Sequence, residues 1–138
     1  MIWVVLCQLA MVPGGWIIVH LLSVRRERRS EWRKLAHSAV ADVEKIEELA
    51  LGYHKAENRN IEMEEEILKR MERLESKMVL LSRTLKSFDQ NSMKKFRRAI
   101  TMKNFQSNEF KRQETTSQIL KNIMARTTLI IEQLYTAH

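Results

Sequence analysis

Apolar side chains run almost unbroken from Met1 to Val24, and the run stops at Arg25-Arg26-Glu27-Arg28-Arg29. A helix of that length, rising about 1.5 Å per residue, reaches about 36 Å and can cross a hydrocarbon core about 30 Å thick. The pattern predicts a single-pass transmembrane anchor over residues 1–24 and a basic juxtamembrane segment over residues 25–34. Arg25, Arg26, Arg28 and Arg29 resist translocation and attract anionic lipid headgroups. The N-terminus is therefore expected outside and the remainder in the cytoplasm, at the inner membrane if the source is bacterial. A cleavable signal peptide fits worse, because nothing basic precedes the apolar run and no small-residue cleavage site ends it.

Within the anchor, Pro13-Gly14-Gly15 removes a helix hydrogen bond and adds backbone freedom, which predicts a kink. A full break into two short halves is the weaker alternative, since neither half spans alone. Trp3 suits the outer interfacial belt, and Trp16 and His20 fall in the half nearer the arginines. Gln8 lies deeper and could bond to a neighbouring anchor. Cys7 is the sole cysteine, so no intramolecular disulfide is available.

Beyond the anchor the pattern changes to helical periodicity, with Gly52 as the only glycine and no proline. The expected fold class is all-α, with a long coiled-coil helix over 35–88 and a second helical region over 89–138 that packs back as a hairpin or small bundle, or on a partner subunit. Three-then-four spacing selects Val43, Ile46, Tyr53, Ile67, Met71, Leu74, Met78, Leu81 and Leu85 as an oligomer seam. Asn60 falls on that seam, where one asparagine can set register and oligomer state. The polar stretch Glu57–Glu64 keeps its apolar contacts only if a stammer and a stutter are inserted. Ser87, Asp89, Asn91 and Ser92 supply capping chemistry for a turn near Phe88. A final stripe runs through Thr116, Leu120, Ile123, Thr127, Ile130, Ile131 and Leu134.

Charge sharpens this picture. The chain has 24 basic and 17 acidic residues, a formal net charge of +7, and the signs are segregated. Residues 40–66 hold three basic and nine acidic groups, whereas residues 67–112 hold thirteen basic and four acidic. Lys94, Lys95, Arg97, Arg98, Lys103, Lys111 and Arg112 form the candidate partner-binding patch. Its occupant is expected to be acidic: the 40–66 block of another subunit, a cytoplasmic protein or, less favoured, nucleic acid. No zinc-finger spacing or aromatic RNA-binding motif accompanies the charge.

Catalytic chemistry is not expected. There is no Gly-rich phosphate loop, nucleophile elbow or Cys-x-x-Cys, and His54 with Glu57 lacks the paired Glu-x-x-His order of helical metal sites. No cofactor or metal is predicted. The leading expectation is a membrane-anchored coiled-coil scaffold that binds lipid, oligomerises and docks a cytoplasmic protein. The alternatives are an oligomeric pore built from the anchor and a membrane tether for nucleic acid.

Overall fold

The computed structural model describes the backbone of residues 2–84 and 88–136, and the side chains of residues 15–84 and 88–136. Among the described residues four helices follow one another: α1 (Ile2–Lys55), α2 (Ile61–Thr84), α3 (Gln90–Thr101) and α4 (Gln118–Thr136). The chain divides into two compact units, Met1–Lys34 and Leu35–His138.

In the first unit, Trp16 and His20 stack one helical turn apart with ring centroids 5.8 Å apart. Ile17, Ile18, Val19, Leu21 and Leu22 are exposed there, as are Arg25, Arg26, Arg28 and Arg29. The side chains of Trp3, Gln8 and Pro13 lie outside the described residues, and α1 runs on as helix through Pro13-Gly14-Gly15 without a full break into two halves. Among the described residues no helix is long and apolar enough to cross a membrane. This overturns the expected transmembrane anchor, and with it the membrane localisation and the N-out orientation. α1 does not end where the apolar run ends: it continues through Arg25, Arg26, Glu27, Arg28 and Arg29, all exposed, to Lys55.

The second unit is a helical bundle, and its first two helices pair antiparallel. Lys77 of α2 reaches Ser38 and Asp42 of α1, at 2.6 and 2.5 Å, while Tyr53 meets Glu64 at the other end. Ser92 of α3 accepts from Gln133 of α4, and Tyr135 of α4 sets its ring edge-on to His37 of α1. Arg97 of α3 pairs with Glu75 of α2. Each helix thus turns one stripe inward.

The inward stripe of α1 is Ala36, Ala39, Val43, Ile46, Ala50 and Tyr53, and that of α2 is Ile67, Met71, Leu74, Met78 and Leu81. Met93, Phe96 and Ile100 of α3 join Leu120, Ile123, Ile130 and Leu134 of α4 in the same core. The positions expected to form an oligomer seam are therefore covered by the chain's own helices. Leu85 lies outside the described residues. The long helix over 35–88 is also corrected, because α1 ends at Lys55 and α2 begins at Ile61. Asn60 sits in that turn, its side-chain oxygen accepting from the Met63 amide at 3.1 Å. It acts as a helix cap and not as a seam residue. His54 and Lys55 close α1, and Glu62 and Glu64 open α2, as the helix dipoles favour.

Candidate functional site

The polar groups of the turn between α1 and α2 are gathered into one buried clamp. Glu64 is 2% exposed and receives a two-pronged bond from Arg59, Nε to Oε1 at 2.7 Å and the terminal nitrogen to Oε2 at 2.9 Å. The Tyr53 hydroxyl donates to the same carboxylate at 2.5 Å and accepts from the Gln106 amide at 3.3 Å. The Arg59 guanidinium holds the Glu64 carboxyl below the usual carboxylate range despite burial. Burial, and then the adjacent carboxylate, push the Tyr53 hydroxyl up to about 12.

His54 is fully buried beside it, and both of its ring nitrogens are occupied. Nε2 lies 3.1 Å from the Ile100 carbonyl oxygen, so it must carry the proton, and Nδ1 faces the Asn104 amide nitrogen at 3.3 Å. Asn104 cannot turn over to suit a charged imidazole. Its amide nitrogen donates to the Lys111 carbonyl, and its oxygen accepts from the Lys111 amide. Burial accordingly depresses the His54 pKa. The Gln113 amide donates to the His54 carbonyl at 2.7 Å, satisfying an orphan carbonyl at the end of α1. Phe105 and Phe110 pack against the Tyr53 ring. Together these bonds fasten the irregular segment between α3 and α4 to the end of α1.

That fastening positions α3, whose N-terminus is capped by Asp89 accepting from the Asn91 amide at 2.9 Å. α3 buries Met93, Phe96, Ala99 and Ile100, and carries Lys94, Lys95, Arg97 and Arg98 on its exposed side with no acidic residue. A groove runs along each flank of this ridge. Between α2 and α3 the groove encloses about 530 Å³, with Met78, Val79, Phe88 and Met93 as floor, Lys94, Arg97 and Arg98 as rim, and one carboxylate, Glu75, paired with Arg97. Val79 and its neighbour Leu80 stay 48% and 46% exposed. Between α3 and α4 a second groove of about 370 Å³ is lined by Lys95, Arg98, Lys103 and Arg126 with no carboxylate.

The expected basic patch is thus divided. Lys94 and Arg97 face the first groove, Lys95 and Lys103 face the second, and Arg98 borders both. Lys111 and Arg112 stand elsewhere, in the segment fastened to α1, with Arg112 3.5 Å from Glu57. Arg126 belongs with the second groove although sequence reasoning missed it. Its signal was available, because Gln118, Asn122 and Arg126 share one face of α4 at steps of four. Asn104 and the His54 tautomer had no such signal. Among the described residues no group of three or more His, Cys, Asp or Glu side chains could hold a metal ion. No protein-family model, curated protein or solved structure matches the chain.

Proposed function

We propose that the chain is a helical interaction module that docks an acidic, amphipathic segment of a protein partner in the groove between α2 and α3. One observation carries this reading: the groove joins an apolar floor of Met78, Val79, Phe88 and Met93 to a rim of Lys94, Arg97 and Arg98, whose three positive charges outnumber the single carboxylate of Glu75. An amphipathic helix with carboxylates along one edge matches both parts, its apolar anchor filling the floor. Nucleic acid would use the rim alone, since a phosphate backbone gains nothing from buried methionine and phenylalanine. The rim adds attraction and a faster encounter, and the floor supplies the affinity that survives salt.

Fluorescence anisotropy with three probes tests it: an acidic amphipathic helical peptide, its scrambled counterpart and an oligonucleotide of equal charge. The amphipathic peptide is expected to bind best. Lys94→Glu with Arg97→Glu should weaken it by about tenfold or more, and the exposed Val79→Asp by a comparable factor. Equal binding of the scrambled peptide would remove the apolar floor from the account. Tighter binding of the oligonucleotide, with a steep salt dependence, would replace the protein partner altogether.

A further inference from the structure

The second groove differs in kind from the first, and several observations about it converge. Its ionisable lining residues, Lys95, Arg98, Lys103 and Arg126, are all basic, and they arrive from α3, the following segment and α4. None of the four forms an ion pair among the described residues, whereas Arg97 on the same helix is held by Glu75 and Lys77 by Asp42. Arg98 donates its Nε to the Met102 sulfur at 2.9 Å, a neutral acceptor that orients the guanidinium and leaves its charge unbalanced. Lys103 takes a left-handed backbone angle, φ 63°, a conformation L side chains rarely adopt. Gln118 and Asn122 add neutral donors from α4.

Lys95, Arg98 and Lys103 are exposed and Arg126 half-buried around about 370 Å³ of open groove, so an anion seated there is attracted by four charges at once. The compactness of the groove selects the anion. Balancing these cations with carboxylates would require several side chains, each with its own stem. A phosphate concentrates about two charges and three acceptor oxygens on one atom. Arg98 and Arg126, on two different helices, offer planar forks that match such oxygens two at a time. We propose that the groove between α3 and α4 is a phosphate-binding site that takes one or two linked phosphate groups. This site shares Arg98 with the rim of the apolar groove, but Lys95, Lys103 and Arg126 do not line that groove, and the proposal does not rest on the protein-docking reading.

Titration of the full chain with tripolyphosphate at constant ionic strength, followed by amide chemical shifts and thermal unfolding, tests the proposal. Saturable shifts are expected at Lys95, Arg98, Lys103 and Arg126, with a rise in Tm by mass action. Lys103→Gln with Arg126→Gln should raise the Kd by about tenfold or more. The same double variant should melt no lower than the parent without ligand, because it relieves repulsion. Lys94→Gln, outside this groove, should leave the tripolyphosphate Kd within about twofold. A peptide with two adjacent phosphoserines identifies the source: tighter binding than tripolyphosphate assigns the phosphate to a partner's side chain, weaker binding to a free oligophosphate. Shifts that fail to appear, that citrate of matched charge reproduces, or that persist unweakened in the double variant overturn the proposal. Failure here with intact peptide binding leaves the α2–α3 docking reading standing, and the reverse result sinks only that reading.

Discussion

Tyr53 donates its hydroxyl to a carboxylate that already holds an arginine, and the same oxygen accepts an amide from the segment between α3 and α4. Tyr53→Phe keeps the ring against Phe105 and Phe110 but strands the Gln106 amide. A loss of about 1–2 kcal/mol is expected in urea unfolding. His54 gives a signed pH prediction. Its folded pKa lies below the ordinary 6.5, so the unfolded chain binds the proton more readily than the native one. Stability is then full above about pH 6.5 and declines as pH falls through that value. Glu64 acts in the same direction at lower pH, because its carboxyl is also depressed from 4.5. Thermal melts from neutral to acid pH should show two successive losses. The His54 ring should titrate below 6.5 by NMR in the folded protein. A His54 that titrates normally would contradict the buried neutral tautomer.

At the scale of elements, the three-then-four spacing picked out inward positions of α1 and α2, Val43, Ile46 and Tyr53 in the first and Ile67 to Leu81 in the second. Periodicity says which face must be covered and nothing about what covers it, so the same stripe fits a second chain or a second helix of one chain. The break between them had a legible sign. Keeping one helix through Glu57, Asn58, Arg59 and Asn60 requires two opposite register faults, whereas a turn requires none. The basic cluster was legible too, but its division between two grooves depends on the irregular segment after Thr101, which has no period to read. Asn60 separates the two accounts of the break. A seam asparagine replaced by leucine tightens an oligomer. A capping asparagine replaced by leucine costs about 1 kcal/mol. Asn60→Leu is expected to lower the unfolding midpoint, and Asp89→Ala at the start of α3 should do so by a similar amount.

For the whole molecule, charge segregation is partly resolved inside the chain. The acidic block meets the basic one where Asp42 holds Lys77 across α1 and α2, with both side chains about a quarter exposed. A double-mutant cycle on Asp42→Ala and Lys77→Ala should give a coupling of about 1 kcal/mol, reduced by salt. No coupling would mean that the two helices do not pair in this register. The bundle also has a core of its own, so residues 35–138 produced alone should keep a cooperative melt. Ile46→Ala should lower the stability of that fragment by about 2–5 kcal/mol.

The clamp at His54 joins residues far apart along the chain: 46 positions to Ile100, 50 to Asn104, and from Tyr53 to Gln106 another 53. Helix pairs can zip from their turns, but these bonds close only after long stretches of chain have been ordered, so they reward the folding reaction last. Asn104→Ala should therefore leave the refolding rate nearly unchanged and steepen the loss on the other limb of a stopped-flow chevron, with a φ-value near zero. Closure of that last loop governs how long the folded molecule persists, and hardly at all how quickly it forms.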